Sequence, residues 1–146
     1  MSTLPISNPR PAHRETVFSF LSRLAATWHT SVAEIASDMG TSFKHFVEQE
    51  PQAFEALAVW ADLDEQQMEE MLSWSGVRAG IVRMTFRGDV FVSRALRNEV
   101  MRGCPVCLRE DVAQQNGPEA SAMVMRGDWQ LRELNICVKH HHPLVP

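Results

Sequence analysis

Two short Cys/His pairs constrain this chain more than any other feature of its sequence. Cys104 and Cys107 are separated by two residues, and Cys137 and His140 repeat that spacing, so the set uses all three cysteines. A tetrahedral zinc site takes four thiolate or imidazole donors, and a CxxC turn places two thiolates side by side. The pattern therefore predicts a structural zinc site, in which the protein fills every position and leaves none for an activated water.

Other interpretations of the cysteines are weaker. A redox CxxC pair normally opens a helix after a strand in a βαβ unit, and no such alternation precedes Gly103. Disulfides would leave one of three cysteines unpaired, and the N-terminus carries no basic-then-apolar export signal, so we expect a cytoplasmic protein. The histidine run at 140–142 leaves one choice open, because His142 is an alternative to His140 as fourth ligand.

Charge is sorted along the chain. The net charge is −4, and residues 34–70 hold ten acidic residues but only Lys44 as a basic one. The segment 78–109 is basic, and five of its arginines are candidate contacts with nucleic acid or with an acidic partner: Arg83, Arg87, Arg94, Arg97 and Arg102. The sorting favours head-to-tail association, such as a homodimer, or a basic face for a nucleic-acid backbone. The alternative is that both runs are solvated helix faces.

The apolar spacing predicts a mainly α-helical fold, a bundle with helix-turn-helix-like pairs followed by a small zinc-finger module. We expect a Pro-rich arm at 1–13 that folds back on the helices, a helical domain at 14–101 and a zinc-binding module at 102–146. No apolar run approaches the ~18 residues of a membrane span, so no membrane association is expected.

Capping and breaking residues place the helices of the first half. The helix that starts near Glu15 is expected to turn Arg23 outward. Ser31 is expected to cap a short helix, with Glu34 completing a capping box, and Gly40 to end it before a second helix at 42–50. This pair resembles a helix-turn-helix, but the acidic end of its second helix would repel phosphates.

The second half has weaker signals. Asp64 is expected to cap a further helix. Residues 82–87 alternate like a strand, and a turn is expected after it at Gly88-Asp89. Short helices are expected at 94–101 and 119–125. Large apolar side chains are expected to pack around the metal: Trp129, Leu131, Leu134 and Ile136.

Both ends of the chain resemble the TniQ family, which is related to TnsD. The Pro-rich arm leads to a helix with Glu15, Ser19 and Arg23 at the family's positions, and the segments 104–111 and 129–140 resemble its zinc signature in order and spacing. Val138 and His141 stand where Pro and Gly are common, which affects only the shape of the second knuckle. The chain is expected to be either a short member or the N-terminal portion of a longer one.

The resemblance implies a non-enzymatic accessory protein that helps to select the DNA target of a bacterial transposon. It implies an adaptor that connects a target-recognition complex, such as a CRISPR effector complex or attachment-site DNA, to a TnsC-like AAA+ regulator. The competing functions are a zinc enzyme and a zinc-stabilised helix-turn-helix transcriptional regulator. Zinc deaminases need a Glu two residues after a ligating His, and neither candidate ligand, His140 or His142, has one.

Overall fold

The computed structural model describes residues 8–96, 100–114 and 118–146. Within these ranges the chain is mainly helical, as the sequence predicts, and it also has one three-stranded antiparallel sheet, of which the sequence predicts only the strand at 82–87. The helices are α1 (Val17–Thr27), α2 (Val32–Asp38), α3 (Phe43–Val47), α4 (Pro51–Ala61), α5 (Glu65–Ser75), α6 (Pro105–Ala113) and α7 (Glu119–Ala122). The strands are β1 (Val77–Arg78), β2 (Arg83–Phe86) and β3 (Asp89–Val92). In the described ranges, no helix is both long enough and apolar enough to cross a membrane.

Polar caps start the helices of the first half. The side chain of Ser31 accepts from the backbone N–H of Glu34, as predicted, but the Glu34 carboxylate accepts from the Thr30 hydroxyl at 2.6 Å and does not complete the box. Asp64 caps α5 and forms a full capping box with Gln67. Each cap satisfies N–H groups that the first turn of a helix leaves without an intrahelical partner.

The helix-turn-helix-like pair of α2 and α3 is present, but its second helix is shorter than predicted. Gly40 turns the chain at φ +85°, and α3 ends at Val47 because Gln49 takes a left-handed φ of +57°. Pro51 then occupies the first turn of α4, where its missing N–H costs nothing. The expected helix at 42–50 is therefore a single turn and a half.

One apolar core joins the long helices. It is built on fully buried side chains of α1 and on inward residues of α2 to α5, because apolar positions spaced three and four apart face one side of each helix. Its largest members are Phe20, Leu21, Leu24, Ile35, Phe46, Leu57 and Met71.

Arg23 is buried, which corrects the expectation that it faces solvent. Only 2% of its surface is exposed, and its guanidinium contacts the equally buried Glu15 at 2.6 Å. Its Nε also donates to the carbonyl of Ser121, so the side chain links α1 to α7. An amphipathic pattern assigns a charged residue to the outer face, and here a buried partner overrides that assignment.

The strand predicted before Gly88 is present, but the turn lies at Arg87-Gly88, one residue earlier than predicted, because Asp89 already pairs with Phe86 as the first residue of β3. β2 and β3 form a tight hairpin in which Arg87 (φ +51°) and Gly88 (φ +87°) both take left-handed conformations, as the turn that fits strand twist requires. The expected helix at 94–101 is instead a 3-10 turn at Ser93–Leu96, and residues 97–99 lie outside the described ranges. The predicted helix at 119–125 is shorter and ends at Ala122.

Contacts cross both of the predicted domain limits. Within the arm, Arg10 donates to the carbonyls of Ala61 and Asp62 at 3.0 Å. Farther along, Arg14 forms an ion pair with Asp128 at 2.9 Å, across the limit predicted at 101/102. The division into arm, helical domain and zinc module stays a prediction, but the described parts of all three pack together.

Candidate metal centre

The first knuckle is formed where helix α6 begins. Cys104 is the N-cap residue of α6, and Pro105 follows it at a position that tolerates the loss of an N–H. One helical turn then brings Cys107 back beside Cys104, and both side chains are fully buried. The helix N-terminus favours negative charge, so this location suits thiolates.

The second knuckle is a tight turn at 137–142. The N–H of Cys137 donates to the carbonyl of His142, and the N–H of His141 donates back to the carbonyl of Cys137, both at 2.8 Å. His141 takes a left-handed φ of +56°. This conformation gives a physical reason for the Gly that the family resemblance leads one to expect there, because only Gly adopts it without steric cost.

Four donor atoms meet between the two knuckles. The sulfurs of Cys104, Cys107 and Cys137 and the Nδ1 of His140 all lie within 4.8 Å of one another. The Nδ1 is 3.7, 3.2 and 3.8 Å from these sulfurs in that order, and the sulfurs of Cys107 and Cys137 are 3.6 Å apart. Zinc at about 2.3 Å from sulfur and about 2.0–2.1 Å from nitrogen would hold tetrahedral donors about 3.5–3.8 Å apart. The donor set therefore fits a metal of the size and preference of zinc.

The geometry distinguishes the two candidate histidines. His140 turns its Nδ1 toward the three sulfurs, whereas the Nδ1 of His142 lies 2.7 Å from the carbonyl of Pro143, on the exposed side of the turn. The described donors that converge therefore include His140 and not His142.

Glu110 contacts the metal-site histidine, and the sequence analysis did not identify it. Its Oε1 lies 2.9 Å from the Nε2 of His140, and its Oε2 accepts from the ammonium of Lys139 at 3.1 Å. Glu110 follows Cys107 by one turn of α6, which places it on the same side of the helix as the knuckle. The three-residue spacing between Cys107 and Glu110 could have identified Glu110 from the sequence, but only if α6 was known to begin at the cysteines.

The pKa values of two of the cluster's thiols, Cys107 and Cys137, shift in opposite directions. Burial, together with hydrogen bonding to Cys137, raises the pKa of the Cys107 thiol to about 12, against the opposing charge of Arg126. For Cys137, burial also opposes ionisation, but hydrogen bonds from His140 and Lys139 outweigh it and lower the pKa to about 6. The free cluster thus retains protons that metal binding would release.

Hydrogen bonds also shift the neighbouring groups. Those from Lys139 and His140 lower the pKa of the Glu110 carboxyl. Those to Cys137 and Glu110 raise the pKa of His140.

A small second core surrounds the site. Trp129 and Leu144 are buried beside the cysteines, and Leu134 is partly buried against them, as expected for two of the predicted side chains. Ile136 is 51% exposed, so the prediction that it packs around the metal is wrong. The side chain of Ile136 points out because the next residue, Cys137, faces the donors in this extended segment.

An ion pair closes this core on the side facing α7. Both carboxylate oxygens of Asp111 accept from the guanidinium of Arg126, at 2.5 and 2.8 Å. The same guanidinium lies 5.3 Å from the ring centroid of Trp129. Asp111 and Trp129 both belong to the motif that resembles TniQ, and both contact the guanidinium of Arg126.

The five arginines predicted to contact nucleic acid or a partner differ in their exposure and in their bonds within the chain. Arg83 and Arg94 are exposed. Arg87 is bound within the chain, to Glu70 at 3.0 Å and over the ring of Trp74 at 4.3 Å. Arg102 donates to Asn135 and to the carbonyl of Leu131, and Arg97 lies outside the described residues.

The fold and the donor set together define a helical protein with a closed Cys3His site, of the kind that holds structural zinc. The chain belongs to the TniQ family, whose model matches residues 6–144, nearly its whole length. TniQ is a non-catalytic family of transposition accessory proteins, so this is a transposition-associated protein. A search of curated proteins gave no match.

Proposed function

We propose that this protein helps to select the DNA target of a transposon, as a non-enzymatic adaptor in the cytoplasm of a bacterium. It would connect a target-recognition complex to a TnsC-like AAA+ regulator. The family match over residues 6–144 is the observation that carries the proposal. The recognition complex would be a CRISPR effector complex or a protein bound at attachment-site DNA.

Zinc would have a structural role in this adaptor. Cys104, Cys107, Cys137 and His140 would supply all four donors, and the ion would hold α6 against the turn at 137–142. Such an ion supplies folding energy and leaves no position for a reacting water. The proposal therefore assigns the metal to the shape of the module, and assigns specificity to the surfaces around it.

Partner contacts are proposed to use the sorted charges. The outer surfaces of α4 and α5 expose acidic side chains, namely Glu55, Asp64, Glu65, Glu69 and Glu70. Arg83 and Arg94 are exposed on the β-hairpin and on the turn after it. The pair Arg87–Glu70 already joins the two charge types within one chain. A second copy could use the remaining charges in the same way, which supports a head-to-tail homodimer.

A transcriptional regulator that reads DNA through α2 and α3 is the less favoured function. The helix α3 has five residues, and Glu48 follows it on the exposed side. Exposed Lys44 is already within 3.8 Å of that glutamate. A surface with this charge would be repelled by phosphates, because most of the affinity for DNA comes from neutralising them.

The test is charge reversal at Arg83 and Arg94, with a matched control. The double variant Arg83→Glu, Arg94→Glu is compared with Arg109→Glu, Arg132→Glu, which makes the same change in net charge at two exposed arginines elsewhere. We expect the first pair to lower capture of a purified TnsC-like ATPase and the frequency of targeted insertion in cells. The control pair should lower neither, and added salt should reproduce the loss of capture in the wild type.

The outcomes separate the two functions. Normal capture and normal insertion in both double variants would show that Arg83 and Arg94 do not contact the partner. Tight binding of duplex DNA by the chain alone, with a strong salt dependence and no capture of the ATPase, would favour the regulator instead.

A further inference from the structure

The contacts of His140 determine which of its ring nitrogens carries a proton. Its Nε2 is 2.9 Å from Oε1 of Glu110, and an ionised carboxylate can only accept a hydrogen bond. The pair therefore places the proton of a neutral imidazole on Nε2. The lone pair then lies on Nδ1, which is the atom that faces the three sulfurs.

The orientation of Glu110 is itself fixed. It lies on α6, one turn beyond Cys107, and its second oxygen accepts from the ammonium of Lys139 at 3.1 Å. Glu110 thus binds two consecutive residues of the second knuckle from the helix that carries the first. No other described acidic side chain makes a hydrogen bond to a member of the four-donor group.

We propose that Glu110 is a positioning residue for the metal: its carboxylate holds the His140 ring in the tautomer and orientation in which Nδ1 binds the ion. The carboxylate also links the two knuckles around the ion. Carboxylates that accept from a metal-bound histidine commonly raise metal affinity about 10- to 100-fold. The role depends on the metal site alone and not on the function in transposition.

The experiment measures zinc affinity and zinc release in the full chain, using competition with a chromogenic chelator. Glu110→Ala should weaken zinc binding about 10-fold or more and speed its release. Glu110→Gln retains an amide oxygen that can accept from Nε2, so it should recover part of the affinity. Glu133→Ala is the matched control, since Glu133 is an exposed glutamate of the same module with no side-chain bond among the described residues.

A second variant distinguishes positioning from a simple surface ion pair. If Glu110 acts only through Lys139, then Lys139→Ala should weaken zinc binding as much as Glu110→Ala does. If it acts through His140, Lys139→Ala should retain most of the affinity. The nitrogen resonances of His140 give an independent reading, because the wild type should show a protonated Nε2 and a metal-bound Nδ1, and Glu110→Ala should show faster exchange of the Nε2 proton.

Three results would overturn the proposal. They are a zinc affinity of Glu110→Ala within twofold of the wild type, equal losses in Glu110→Ala and Lys139→Ala, and a wild-type protein that binds no zinc. Because Glu110 is partly exposed, its replacement should leave the fold intact, and circular dichroism of the zinc-loaded variants checks this point.

Discussion

Arg23 and Glu15 form an ion pair at 2.6 Å in which both side chains are almost completely removed from solvent. The carboxylate has two further donors, since it also accepts from the hydroxyl of Ser19 at 2.6 Å and the N–H of Ala12 at 3.0 Å. The Ser19 hydroxyl in turn accepts from the N–H of Met125. Burial raises the pKa of Glu15, and the charge of Arg23 opposes that rise. This network joins the arm, α1 and the segment after α7.

Removing Arg23 should therefore destabilise the whole fold. Arg23→Ala leaves a buried carboxylate without its partner, and such losses cost about 3–5 kcal/mol. Urea unfolding of the zinc-loaded protein measures the change. Arg132→Ala, at an exposed arginine, should change the free energy of unfolding by less than about 0.5 kcal/mol. Equal stability of the two variants would contradict the role given to the buried pair.

Gly127 is expected to tolerate no side chain. A Cβ at this position would overlap the backbone carbonyl of Trp74 at the end of α5, and the N–H of Gly127 donates to the carbonyl of Arg14. Gly127→Ala should cost roughly 3 kcal/mol or more, because two backbones must separate. Gly40→Ala is the comparison: nothing lies within 4 Å of its Cβ, and only its φ of +85° is unfavourable. That variant should cost about 1–2 kcal/mol by thermal or urea unfolding.

Metal content should follow the donor geometry. Cys107→Ser and His140→Ala should each lose zinc and lower the melting temperature, because a structural zinc contributes on the order of 10 kcal/mol to the folding of its module. His142→Ala should retain one zinc per chain, because its Nδ1 contacts Pro143 and not the cysteines. Elemental analysis of proteins purified without chelator measures the content. Full zinc occupancy in His140→Ala would show that another donor completes the site.

The arm should contribute to stability through Arg10. Its guanidinium satisfies the carbonyls of Ala61 and Asp62 where α4 ends, and it also reaches Gln67 at 3.2 Å. Arg10→Ala should cost about 1 kcal/mol, and deletion of residues 2–12 should lower the melting temperature further. Lys44→Ala serves as the control, since its ion pair with Glu48 is long and exposed. An unchanged melt after the deletion would show that the arm adds nothing to folding.

Local features of the fold follow closely from the sequence. The caps at Ser31 and Asp64 depend on a few neighbouring residues, and both form where they are predicted. The hairpin turn at Gly88 forms one residue earlier than predicted. The helix lengths predicted from the sequence agree less well with the structure than the caps do. Helix α3 ends early where the backbone of Gln49 turns left-handed, and α7 ends where Met123 is extended, and the apolar spacing predicts neither change.

The sequence by itself determined the three cysteine donors of the candidate zinc site and narrowed the fourth donor to His140 or His142, because a CxxC spacing and its CxxH counterpart restrict the turns that can carry them. The tertiary structure brings His140 to the sulfurs. The sequence also determined the helical class, through the period of its apolar residues. Only the tertiary structure decided the partners of the charged side chains. The helical spacing places Arg23 on the face expected to be exposed, and Glu110 is a charged residue of a type that is usually exposed. In the structure Arg23 is buried against Glu15, and Glu110 contacts His140. Glu110 meets a residue 30 positions away, and Arg23 also donates to the carbonyl of Ser121, 98 positions away. The electrostatic free energy of a charge depends on the groups that surround it in space.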